Sequence, residues 1–255
     1  MSMDSLVAQI KDKRELRSLP DPLVEKTLKD YLAKNKLKLP KAEKEIKLIL
    51  KEVRAELRRY TGQYTLKSNI KNINELLSSN NIEDLLKEHR STKERIQDYP
   101  MIKQIINNLN PKSILDLGCG INPIAIAKKA VRYHAYDIND NDLEIVRQFF
   151  KKNGIDGDTH HLDIRTIEVF PNVDLCIIFK VLDLLGEQRN EVTEHLLKSI
   201  EAKHFLISFS TVTLSGKPMN SPYRRWFERI LKELNYHYDV KRTSQELLYL
   251  IKKSD

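Results

Sequence analysis

The chain has 255 residues, 40% hydrophobic and 31% charged, with 44 Lys and Arg against 36 Asp and Glu and a net charge of +8. That length suits one large domain, or a medium domain with a small one. No apolar run approaches the roughly 18 residues of a membrane span, and the start, MSMDSLVAQIKDKRELRSLP, is mixed in charge and unlike a secretory signal. The expectation is a cytoplasmic, monomeric protein with no membrane partner.

The charge is unevenly spread. Residues 1–110 hold 23 Lys and Arg against 16 Asp and Glu, whereas residues 111–255 hold 21 against 20. A basic first part beside a near-neutral second part points to an anionic partner, nucleic acid being the usual one, although a lysine-rich solvated helical surface has the same composition.

The first 110 residues contain one glycine, Gly62, and read as successive helices. Pro20 and Pro22 punctuate the chain before LVEKTLKDYLAK, and Pro40 is expected in the first turn of a long helix. In that helix Ile46, Ile49, Leu50, Val53 and Leu57 recur at helical spacing, with Lys41, Lys44, Lys47, Lys51, Arg54, Arg58 and Arg59 over the remaining surface. SSNNIEDLLKEH has an Asn cap and an acidic first turn. Ser91 and Glu94 have the spacing of a capping box, which predicts a helix starting there.

From Ser113 the pattern becomes apolar runs of strand length alternating with helical segments. SILDLG, RYHAYDI, THHLD, VDLCIIF and HFLISFS alternate with INPIAIAKKA, NDLEIVRQFFKKNG, a brief linker, EQRNEVTEHLLKSI and SPYRRWFERILKEL. Such alternation predicts a parallel sheet with helices on both faces. NYHYDVKR and ELLYLIKK follow as a hairpin, making seven strands. The two cysteines, Cys119 and Cys176, lie in apolar surroundings without CxxC spacing. They are expected to be buried free thiols, with no metal centre.

In an open parallel sheet a ligand binds beyond the carboxyl ends of the strands, near the point where strand order reverses. The loop with Asp116, Gly118, Cys119 and Gly120 follows the first strand, and a helix near Asn122 is expected to aim free N–H groups at a ligand. The second strand ends at Asp137, with Ile138 after it, about twenty residues beyond the glycines, where a carboxylate accepts ribose hydroxyls. Three residues after Gly120 stands Pro123, so the third glycine of a dinucleotide loop is missing. That disfavours NAD and favours S-adenosylmethionine. The third strand run ends at Asp163, placed to meet an adenine amine.

The segments STKERI, DLGCGINP, YHAYDI, IIFKVLDLL, ISF, LSGK and YRRWFE, in this order from Ser91 onward, resemble the aminoglycoside-resistance 16S rRNA (guanine-N7) methyltransferases. The resemblance implies a seven-stranded Rossmann-like class I methyltransferase domain over residues 106–255, preceded by a helical, basic RNA-docking domain over 1–105. It implies S-adenosyl-L-methionine as cofactor and the small ribosomal subunit or its rRNA as partner. Arg95 matches the arginine that pairs with the methionine carboxylate, Asp137 the ribose-binding acid, Asp163 with Ile164 the adenine-edge pair, and Lys180 a lysine beside the methyl-transfer centre. Phe179, just before Lys180, is expected at the cofactor.

On the RNA side the expected contacts are Arg58, Arg59, Lys180, Ser210, Tyr223, Arg224, Arg225 and Trp226; Tyr223, Trp226 or Phe209 could stack on a flipped base, although core packing is the first expectation for each aromatic except Trp226, which follows Arg224 and Arg225. The chain departs from the family at Ser210 and Asp183, each where a proline is common. Other readings are a methyltransferase of tRNA or of another base atom, and a non-catalytic RNA- or nucleotide-binding protein with the same fold.

Overall fold

A computed structural model describes residues 2–61, 70–79, 81–213 and 215–253. Helices α1 (Met3–Lys11), α2 (Asp21–Lys34) and α3 (Glu43–Thr61) form a three-helix unit. Its core is Leu6, Ile10, Leu16, Leu19, Leu23, Val24, Leu28, Leu32, Ile49, Val53 and Leu57, the apolar stripe of α3 meeting those of α1 and α2. Ser2 caps α1 by accepting from Ser5 N, and Pro22 lies in the first turn of α2. Pro40 is not in the first turn of α3. That helix begins at Glu43, and Glu45 Oε2 accepts from the exposed N–H groups of Lys41 and Ala42.

Helices α4 (Ile70–Ser78), α5 (Ile82–Glu88), α6 (Arg90–Arg95) and α7 (Tyr99–Leu109) follow. Asn81 caps α5, accepting from Asp84 N. The expected Ser91–Glu94 capping box does not form, because α6 starts at Arg90 with His89, two residues earlier, in the N-cap position. Ser91 Oγ instead contacts His89 Nδ1, and Glu94 pairs with Arg90 and Lys180.

Strands β1 (Ser113–Leu117), β2 (Arg132–Asp137), β3 (Gly157–His161), β4 (Val173–Phe179) and β5 (Ala202–Ser210) are parallel; β6 (His237–Arg242) and β7 (Glu246–Lys252) close the sheet as an antiparallel hairpin. The order is β3-β2-β1-β4-β5-β7-β6, so the chain reverses its direction across the sheet between β1 and β4. Side chains alternate between faces, as a sheet covered on both sides requires. Ile114, Leu175, Ile177 and Leu206 pack on one face with α4, α5, α7, the four-residue α8 (Pro123–Ile126) and α9 (Asp140–Asn153). Leu115, Cys176, Ile178, Phe205 and Ile207 pack on the other with α10 (Arg189–Ser199) and α11 (Arg225–Glu233).

The apolar clusters do not break at residue 105. Ile73, Leu77, Leu85, Leu86, Tyr99, Ile102 and Ile105, all ahead of that point, are buried in the sheet's own core. The three-helix unit of α1–α3 has a separate core, against which Ile138 of the sheet half also packs. No described helix is long and apolar enough to cross a membrane.

Candidate active site

The cleft sits at the carboxyl ends of β1, β2 and β4, where strand order reverses and the two connections leave on opposite faces. It encloses about 890 Å³ of empty space including its open mouth. Gly118, Gly120, Asp137, Ile138, Asp163, Ile164, Phe179 and Lys180 line it, all of them residues expected from sequence.

Gly118 and Gly120 have φ of +68° and +49°, the left-handed region that a side chain disfavours. A Cβ on Gly118 would lie 2.4 Å from Val181 Cγ2. Gly118→Ala is therefore expected to lose stability and cofactor binding together, read by thermal unfolding with and without S-adenosylhomocysteine. The loop's backbone donors are engaged within the protein. Gly118 N and Cys119 N donate to Tyr136 O at 2.8 and 3.0 Å, and Gly120 N donates to Asp137 Oδ2 at 2.7 Å. The short α8 likewise closes its first bonds within its own turn.

Asp137 is buried, with Oδ2 taking Gly120 N and Oδ1 taking Asn139 N at 2.8 Å. Burial, then the nearby Asp142, push its carboxyl up to about 6 against those two hydrogen bonds. Each oxygen keeps a further acceptor position, which suits a diol. Asp116 lies beneath the loop and off the cleft wall; its Oδ2 accepts from Tyr133 Oη and Asn122 Nδ2, and burial raises it to about 6. Its Oδ1 is buried with no hydrogen-bond partner. Cys119 is buried too, its thiol pushed up by burial.

Asp163 is occupied by its neighbour: Arg165 Nε and Nη2 donate to it at 2.7 to 3.0 Å. The same guanidinium lies 4.7 Å over the Tyr60 ring and donates to Tyr60 Oη at 3.0 Å, tying α3 to this end of the cleft. Tyr60 and Leu23 of the three-helix unit, with His89, Ser91 and Asp142, also line the wall. Sequence reasoning missed all five. Tyr60 carried a signal, adjacent to Arg58 and Arg59 on the basic helix, and Ser91 another, as the first residue of STKERI.

Lys180 directly follows β4 with φ +57°, a strained conformation for a lysine, and its N–H extends the ladder to Ser208 O at 3.0 Å. Its Nζ donates to Glu94 Oε2 at 2.8 Å and lies 3.4 Å from Glu246 Oε1. Arg95 is 2% exposed, and its guanidinium meets a protein carboxylate: Nε and Nη2 donate to Glu246 at 3.0 and 3.2 Å, with Phe179 4.5 Å beneath. Burial alone would raise the Glu246 carboxyl, but Arg95 and Lys180 more than reverse this and hold it below its ordinary value. Glu246, 151 residues from Arg95, was not anticipated.

Several expected RNA contacts lie elsewhere. Arg224 is buried, its fork donating to Asp183 at 2.8 and 2.9 Å and to Ser210 O at 3.0 Å. It thereby accounts for both departures: the acid at 183 anchors the arginine, and Ser210 Oγ, turned to Val212 O at 2.8 Å, shapes the bend that Arg224 braces. Phe209 is fully buried, and Trp226 packs edge-on against it and against Phe227 with Arg189 over its ring, so neither is free to stack on a base. Tyr223 and Arg225 are exposed, as are Arg58, bonded to Glu15, and Arg59, paired with Glu56.

The donor set fits S-adenosylmethionine: a carboxylate with two open acceptor positions, and apolar walls of Ile138, Ile164, Phe179, Leu184 and Leu185 for a flat heterocycle. With the strand order and the glycine loop, this defines a class I S-adenosylmethionine-dependent methyltransferase. The sequence profile of the FmrO ribosomal RNA methyltransferases matches residues 75–250, and the chain belongs to that family. A 16S rRNA (guanine(1405)-N(7))-methyltransferase of Serratia marcescens is 29% identical over 212 residues, covering 82% of this chain and 84% of that protein. The crystal structure of an rRNA methylase from Escherichia coli is 26% identical, with a TM-score of 0.81 over 99% of this chain and 100% of that one. The 16S rRNA methyltransferase RmtF, solved with S-adenosyl-L-homocysteine, shares the fold at a TM-score of 0.84 over the whole of both chains, with 22% identity.

Proposed function

We propose that this chain transfers the methyl group of S-adenosylmethionine to N7 of a guanine in the decoding region of 16S rRNA, acting in the cytoplasm on the small ribosomal subunit. The observation that carries this reading is one cleft lined both by a diol-binding carboxylate, Asp137, and by a cation at the end of β4, Lys180, beside the exposed basic surface of α3.

The cofactor, when bound, supplies an electrophilic methyl on a sulfonium. Guanine N7 has a lone pair and no proton, so no general base is needed and positioning dominates, with the nucleophile held about 3 to 3.5 Å from the methyl carbon. Asp137 accepts the ribose hydroxyls, and Phe179, Ile138 and Ile164 enclose the adenine. Lys180, fixed by Glu94 and Glu246, orients the base through its O6. Lys41, Lys44, Lys51 and Arg59, exposed on and just ahead of α3, meet RNA phosphates by charge and shape. Residues 1–61 are the docking unit in this reading, because their core is separate from the sheet's.

Incubation with methyl-labelled cofactor and, separately, small subunits, free 16S rRNA and tRNA tests the assignment. Label in the small subunit at a single N7-methylguanine, mapped by cleavage at that base, is expected. Label in tRNA, or at an exocyclic nitrogen, would replace this reading by that of another RNA methyltransferase.

A further inference from the structure

We propose that His134, Asp158 and His160 form a binding site for one divalent transition-metal ion of the zinc class, on the edge of the sheet and outside the cofactor cleft. His134 and Asp158 are directly paired across β2 and β3, and His160 is the next residue of β3 on the same face. Strand alternation thus points all three side chains the same way. His134 Nδ1 and His160 Nε2 each lie 2.9 Å from one atom, Asp158 Oδ1, and the three donor atoms fall within 4.8 Å of one another.

A tetrahedral ion with bonds of about 2.0 to 2.1 Å holds neighbouring ligand atoms about 3.3 Å apart. Each imidazole nitrogen therefore needs to part from Asp158 Oδ1 by only a few tenths of an ångström, and the two nitrogens, within 4.8 Å of each other, come to the same spacing by small side-chain rotations. Two features fix them in place. Arg132 bonds Asp158 through Oδ2, leaving Oδ1 to the imidazoles, the way a ligating carboxylate is oriented by an outer partner. The Tyr136 ring stacks on His160, centroids 4.3 Å apart and 20° from parallel, which fixes that imidazole's rotamer.

Two imidazoles and one carboxylate suit zinc, nickel or copper, whereas calcium and magnesium take oxygen sets. Each imidazole already turns a ring nitrogen to the shared Asp158 oxygen, His134 through Nδ1 and His160 through Nε2, so the atoms that would bind the ion face one point. All three residues are partly exposed, so the remaining position opens to water. Cys119 and Cys176 are buried elsewhere and do not compete.

The probe is Zn²⁺ itself, titrated into the full, tag-free chain against a chromophoric chelator. One equivalent is expected to bind, and His134→Ala and His160→Ala each to weaken it at least tenfold. On the unaltered protein, zinc should shift the imidazole proton resonances of His134 and His160 and leave those of His89 and His204 unmoved, a readout independent of how the variants fold. Unchanged affinity in both variants, no stoichiometric binding, or shifts confined to other histidines would overturn the site.

Discussion

Glu246→Gln is expected to destabilise the protein by about 3–5 kcal/mol, the usual cost of removing one partner from a buried ion pair. The substitution keeps the side chain's size, so it opens no cavity and reads the charge alone. Arg95, 2% exposed, would then face an uncharged amide, and Lys180 would keep only Glu94. The check is a urea unfolding curve, where the midpoint should fall with little change in slope. Replacing the pair by apolar residues, Arg95→Met with Glu246→Leu, should recover much of the loss, because two charges no longer need burying. The pH dependence follows from the depressed carboxyl. A group whose folded pKa lies below its unfolded value adds stability that is complete above about 4.5 and disappears as pH falls through the folded value. The difference between wild type and Glu246→Gln should shrink on acidification below that point.

Asp137→Ala is expected to weaken S-adenosylmethionine binding by roughly a hundredfold, from two hydrogen bonds to a charged acceptor at about 1.5 kcal/mol or more each, with little loss of stability. The fold tolerates it because the lost bonds from Gly120 and Asn139 are offset by relief of the repulsion between Asp137 and Asp142. Calorimetry on the purified chain decides it; unchanged affinity would remove Asp137 from the cofactor site. The same residue predicts a pH profile. Its pKa is raised to about 6, so ionising it costs the folded state stability as pH rises through that value, the opposite sign to Glu246. Hydroxyl donors need the ionised acceptor, so affinity should climb through pH 6 and level off above it. Asp137→Asn should flatten that step.

What could be read from the sequence follows from range. Seven strands, their parallel order up to β5 and the closing hairpin were legible because apolar runs and intervening helical segments are local patterns. The glycine loop and Asp137 were legible because a ligand at a strand end constrains residue types within a few positions. Pairings over long separations were not. Nothing near Arg95 announces Glu246, and nothing near Asp183 announces Arg224, since each bond exists only after β7 and α11 have packed. Trp226 looked exposed because it follows two arginines, yet one of them is buried and the indole packs on Phe209. The boundary after residue 105 followed a change in periodicity, whereas the cores divide by packing, which gathers α4–α7 to the sheet.

The bridge from Tyr60 through Arg165 to Asp163 bears on selective inhibition. A bare class I methyltransferase domain presents a cofactor cleft built from its own sheet and loops, shared in outline by the many enzymes of that class. Here Leu23 and Tyr60, both from the helices ahead of the sheet, form part of the same wall. A compound that fills the apolar end of the cleft and displaces Arg165 from the Tyr60 ring would draw affinity from surface that those other enzymes do not possess.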